Sequence, residues 1–132
     1  MAINPTDFGV VARSLGDKSS CTEAELRTAV GRLYYSLYHV TFRRLISIGE
    51  LDGIPAYDAH SKVIHAVRAM KVNLGDKLDR LRIMRRQADY VLDSSDQNYI
   101  STYADWHRNY SVAKDIAAQI GPHLGSLPRR QP

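Results

Sequence analysis

Arg32 and His39 stand seven residues apart in the stretch TEAELRTAVGRLYYSLYHVTFRRLISI, residues 22–48. On a helix, seven steps bring them within about 20° of each other and about 10 Å apart along the axis. A phosphate or a second chain could bridge that gap. An arginine that holds a phosphate and a histidine that moves a proton near neutral pH are the two parts a metal-free ribonuclease needs. The plainer alternative is a surface or interface ion pair for Arg32 and a packed core or interface ring for His39.

A second group lies in DKLDRLRIMRRQADY, residues 76–90, where Arg82, Arg86 and Asp89 follow one another at steps of three or four. Such neighbours meet on one helix face. A phosphate could sit between the two guanidiniums, with Asp89 orienting one of them. The alternative is a solvated ladder that includes Asp79, contributing a few tenths of a kcal/mol per pair. The rows Tyr34, Tyr35, Tyr38 and Tyr99, Tyr103, Trp106, Tyr110 could stack nucleobases. They equally suit a core or a subunit contact with hydroxyls at the rim. His60 and Ser61 open a helix, whose first N–H groups are free for an anion or an ordinary cap. His60 and His65 are five apart, a poor spacing for a shared metal. No Gly-rich phosphate loop, HExxH, GxSxG or CxxC occurs, which argues against common nucleotide hydrolases, zinc enzymes and serine hydrolases.

Five helices would have to position these groups. Asn4–Pro5 opens a short first helix with Phe8, Val11, Ala12 and Leu15 on its inner face, ending near Gly16. Thr22 and Glu25 form a capping box, so the central helix starts near Glu23 and runs to about Gly49. One of its stripes is Leu26, Val30, Leu33, Leu37, Val40 and Ile48; the other is Tyr35, Tyr38, Phe42 and Ile46, edged by Arg32 and His39. After an ordered loop at 49–58, a third helix buries Val63, Ile64, Val67 and Met70 and closes at Gly75. Asp76 caps a fourth, with the stripe Leu78, Leu81, Met84, Ala88, Val91 and Leu92. A capping box at Ser94 and Gln97 opens a fifth, with Tyr99, Tyr103, Trp106, Tyr110, Ala113, Ala117 and Ile120 inward. No period-two run is long enough for a strand. The expectation is all-α: an up-and-down helical bundle of four principal helices plus one accessory helix, forming one domain over residues 1–124 with a disordered tail at 125–132.

With 132 residues, 44% of them hydrophobic, the chain can bury one core. Thirteen arginines against five lysines and a net charge of +4 permit an anionic partner such as RNA without requiring one. A lone Cys21 excludes an internal disulfide and a thiolate metal site. The first residues have no basic start or long apolar run, and no membrane span is apparent. A cytoplasmic protein without a membrane partner is therefore expected.

Three segments in order, AVGRLYYSLYHV (29–40), AHSKVI (59–64) and MRRQADY (84–90), resemble the HEPN domain family, the higher eukaryote and prokaryote nucleotide-binding domains. The likeness is to small stand-alone members and covers about residues 20–120. It implies a helical bundle that pairs as a homodimer, with an RNA- or nucleotide-facing cleft between copies. Arg32, Tyr35 and His39 match the central motif, His60 and Ser61 the middle one, and Arg86, Asp89 and Tyr90 the last. Many members are metal-independent ribonucleases of toxin–antitoxin or antiviral defence systems, needing no cofactor. Their Arg–His pair usually lies on a late helix, whereas here Arg86 is followed by Val91, Leu92 and Asp93. Arg32 and His39 would then be catalytic, with Tyr35, His60, Arg82, Arg86, Asp89 and Tyr90 binding phosphate or nucleotide. The alternative implied is a non-catalytic nucleotide-binding or partner-binding module, for example the companion of a small nucleotidyltransferase.

Overall fold

The computed structural model describes residues 4–51, 59–91 and 103–129. These form five helices, α1 (Thr6–Gly16), α2 (Glu23–Ser47), α3 (Ala59–Met70), α4 (Val72–Tyr90) and α5 (Tyr103–Leu124), with no strand among the described residues. The protein is all-α.

Helix α2 lies at the centre and packs against the other four. Its start is set by the capping box: Glu25 N–H donates to Thr22 Oγ1 at 3.1 Å, and Thr22 N–H donates to Glu25 Oε1 at 2.9 Å. Two of the backbone donors that a helix start leaves open are thereby satisfied. Leu26, Val30, Leu33, Leu37 and Ile48 are buried, with Val40 half-buried. On the opposite side Tyr38 is buried, Tyr35 and Phe42 are half-buried, and Ile46 is exposed. Both faces expected to be apolar are therefore covered over most of their length by the chain's own helices.

Helix α1 departs from expectation. Val11 is 45% exposed, and the inner face is Gly9, Ala12 and Gly16, with Phe8 and Leu15 at the rims. Small residues let the backbone come close: a Cβ on Gly16 would lie 2.3 Å from Tyr110 Cζ. Close approach has won over the burial of one valine.

The α3–α4 corner also differs. Helix α3 ends at Met70, Lys71 alone intervenes, and Gly75 is helical within α4 rather than closing α3. A Cβ there would sit 2.6 Å from Arg68 Cα, so Gly75 serves backbone contact across the corner. Asp76, expected as a cap, accepts from Arg68 Nε at 2.8 Å. In α4, Leu78, Leu81, Met84 and Ala88 are buried and Val91 is half-buried.

Helix α5 buries Trp106, Tyr110, Ala113 and Ile120, leaves Ala117 half-buried and Tyr103 exposed, and continues through Pro122 to Leu124. The Ser94–Gln97 box, Tyr99, Leu92 and residues 52–58 lie outside the described residues. Beyond α5, Leu127 is 1% exposed, and its carbonyl accepts from Arg44 Nε at 2.7 Å.

Arg27 joins three helices. Its Nη1 donates to the carbonyls of Ala88 (3.2 Å) and Val91 (3.0 Å), capping the C-terminus of α4. Its Nε donates to Glu23 at 3.2 Å, and its guanidinium lies 4.5 Å from the centre of the Trp106 ring. The charge, buried with its alkyl stem, has a partner on every side.

Candidate functional site

The polar groups gather where α2 faces the start of α3 and the second half of α4. Tyr34 and Tyr38 are one helical turn apart, so both side chains point the same way. His60, in the first turn of α3, stacks on Tyr38 with ring centres 4.0 Å apart, and its Nδ1 is 2.7 Å from the Tyr34 hydroxyl. Tyr34 is fully buried, which pushes its pKa up and keeps the hydroxyl protonated. Burial lowers the pKa of His60, and the charges of Arg85, Arg82 and then His39 lower it further. The ring is therefore neutral at neutral pH.

His39 is half-buried along the same helix. It stacks on Phe8 of α1 at 5.7 Å and on Tyr35 at 6.1 Å, and meets the edge of Tyr38 at 5.1 Å. Burial, and then Arg43, lowers its pKa as well. Arg32 is exposed, with its guanidinium 5.8 Å from the Phe8 ring centre. Phe8 thus touches both members of the Arg32–His39 pair.

Helix α4 contributes Arg85. Its Nη2 donates to the Tyr35 hydroxyl, and its guanidinium lies 5.0 Å from the Tyr35 ring centre and 5.5 Å from that of Tyr90. Asp89 Oδ2 is 3.0 Å from Arg85 Nε, but that buried N–H has no hydrogen-bond acceptor. The two observations agree if the carboxylate lies off the N–H axis, an ion pair without a directed bond. Beside it runs a groove of about 300 Å³, lined by Thr28, Gly31, Arg32, Tyr35 and Asp89.

No family model, curated protein or solved structure matches this chain. The reading of the site rests on its own geometry. Tyr35, His60, Asp89 and Tyr90 come together around Arg85 or its contacts. Arg82 acts on His60 through its charge and lies 3.9 Å from Asp79, the pair that a salt-bridge ladder anticipates. Arg86 is exposed and takes no part in the cluster. Among the described residues, no three His, Cys, Asp or Glu side chains are grouped to hold a metal.

Sequence reasoning overlooked Arg85, the role of Tyr34 as partner of His60, and Phe8 as the cover of His39. The first was findable. Arg85 and Asp89 have the i,i+4 spacing that favours an ion pair, as strong a signal as the i,i+3 spacing of Arg86 and Asp89. The other two join α2 to α1 and α3, and no local spacing reports them.

Proposed function

We propose that the protein is a HEPN-like, RNA-acting bundle whose half-buried edge of Tyr35, His39, His60 and Arg85, backed by the buried Tyr34 and Tyr38, receives single-stranded RNA or a nucleotide. One observation carries this reading. The three segments behind the resemblance meet at one place: Tyr34 and Tyr38 from the first, His60 from the second, and Arg85 and Asp89 from the third. Aromatic rings offer faces for bases, and guanidiniums offer forked donors for phosphate. The up-and-down arrangement, homodimer, cytoplasmic location and a toxin–antitoxin or defence setting belong to the same proposal.

In the catalytic form, neutral His39 takes the proton of a ribose 2′-hydroxyl as that oxygen attacks the adjacent phosphorus. The P–O5′ bond breaks and the 5′-oxygen leaves with the proton returned by the His39 imidazolium, while Arg32 and Arg85 hold the phosphate throughout. Arg85 replaces Arg86 in this role, because Arg86 stands outside the cluster. The second reading is binding without cleavage, of a nucleotide or of a partner such as a small nucleotidyltransferase. It is favoured by His39 being half-buried beside the rings of Phe8, Tyr35 and Tyr38, as a packed residue would be.

Incubating the full-length protein with tRNA and single-stranded RNA in EDTA tests both. Cleavage lost in His39→Ala and Arg32→Ala supports the nuclease. Binding without cleavage, weakened by Arg85→Gln, supports the module. A chain that neither binds nor cuts leaves a structural bundle.

A further inference from the structure

Asp89 is the anomaly of the site, since a carboxylate lines a groove whose other ionic side chain is Arg32, and Arg85 lies behind two of the lining residues, against Tyr35 and Asp89. A guanidinium bonds best to an oxyanion in its own plane, through two parallel N–H groups. Asp89 does not achieve this with Arg85. It supplies charge at 3.0 Å from Nε while that N–H remains buried and without an acceptor. The carboxylate is fixed on the same helix one turn away, whereas a free oxyanion would have no such tether.

The groove has room for one. At about 300 Å³ it extends from Thr28 past Arg32 to Tyr35. At Gly31 an added Cβ would stand in ordinary contact with the pair, 3.7 Å from Asp89 Oδ1 and 3.9 Å from Arg85 Cγ, so both groups border the groove there. Asp89 is 38% exposed and can turn to solvent. Arg85 is only 16% exposed, so the carboxylate leaves when an entering oxyanion takes its place beside the guanidinium.

We infer that the α2–α4 groove is a phosphate site whose resident anion is Asp89, and that a phosphate monoester or diester binds by displacing this carboxylate from Arg85. Arg32 holds the entering oxyanion from the opposite lip. The inference rests on the RNA- or nucleotide-binding reading above and adds to it the sign of the Asp89 contribution. A carboxylate that orients Arg85 for the ligand would help binding; a resident competitor opposes it.

The test uses the full chain and a fluorescein-labelled single-stranded oligouridylate, read by anisotropy at about 0.15 M salt, where exposed charges are screened beyond ~8 Å. Inorganic phosphate serves as competitor, and thermal melts confirm that each variant folds. Asp89→Asn is expected to bind about two- to fivefold tighter, the range that losing one exposed ion pair allows. Asp115→Asn, an equal charge change on α5, should stay close to wild type, and Arg85→Gln combined with Asp89→Asn should abolish the gain. Weaker or unchanged binding by Asp89→Asn, or an equal gain from Asp115→Asn, overturns the displacement while leaving oligouridylate binding intact. Absence of binding by every variant overturns this inference and the function beneath it together.

Discussion

The Tyr34 hydroxyl is the most constrained group at the site, because it is buried and its partner is a ring nitrogen 2.7 Å away on another helix. Tyr34→Phe keeps the ring packed beside Tyr38 and His60 and removes the bond. Losing one such bond and leaving a buried ring nitrogen without a partner costs about 1–3 kcal/mol. A urea titration of the two proteins should show that loss, and an NMR titration should show the His60 imidazole altered. The hydroxyl was legible only as one tyrosine among several. Positions 34 and 38 share a face and 35 and 39 share the next, but which face meets His60 depends on where α3 is laid.

At the scale of elements, two glycines carry opposite predictions. Gly75→Ala would put a Cβ 2.6 Å from the Arg68 backbone, which cannot swing aside like a flexible side-chain tip. The α3–α4 corner must open, with a loss of about 1–3 kcal/mol. Gly31→Ala meets only ordinary contacts at 3.7 and 3.9 Å, so the helical preference for alanine should raise stability by about 0.5–1 kcal/mol. Thermal unfolding of both variants checks the two signs. Arg27 gives a third prediction. Arg27→Met keeps much of the stem but uncaps the Ala88 and Val91 carbonyls and uncovers the Trp106 ring. A destabilisation of about 2 kcal/mol is expected by chemical denaturation, because buried bonds to a charged group exceed neutral ones. An arginine beside an apolar stripe reads in sequence as an exposed salt-bridge residue. Its burial follows from the end of α4 arriving beside α2.

The whole molecule responds to pH through its two depressed imidazoles. His39 and His60 have lower pKa values in the fold than the ordinary 6.5, first because of burial. The unfolded chain therefore takes up protons at a higher pH than the folded one. Stability is complete above pH 6.5, declines as pH falls below it, and stops declining from this source once the folded rings protonate. Denaturation midpoints followed from pH 7.5 to 5 (about two units around the reference value) should fall, and the double variant His39→Gln/His60→Gln should flatten that slope. Asp17 acts in a separate, more acidic window. Hydrogen bonds from Lys114 and Tyr110 hold its carboxyl below the ordinary 3.8, so its contribution is present above that value and lost as pH falls through the lowered pKa.

From the residues alone came the all-α class, the extent of α2 and the inward stripes of α2, α3 and α4, because capping and helical periodicity are local and repeat along the chain. The same local logic misjudged Val11 and Gly75. Val11 lost to the close approach of small residues, and Gly75 to a corner only one residue long. Which tyrosine holds His60 was decided only in the fold. That choice depends on the distance between α2 and α3, and a periodicity within one helix carries no information about its neighbours.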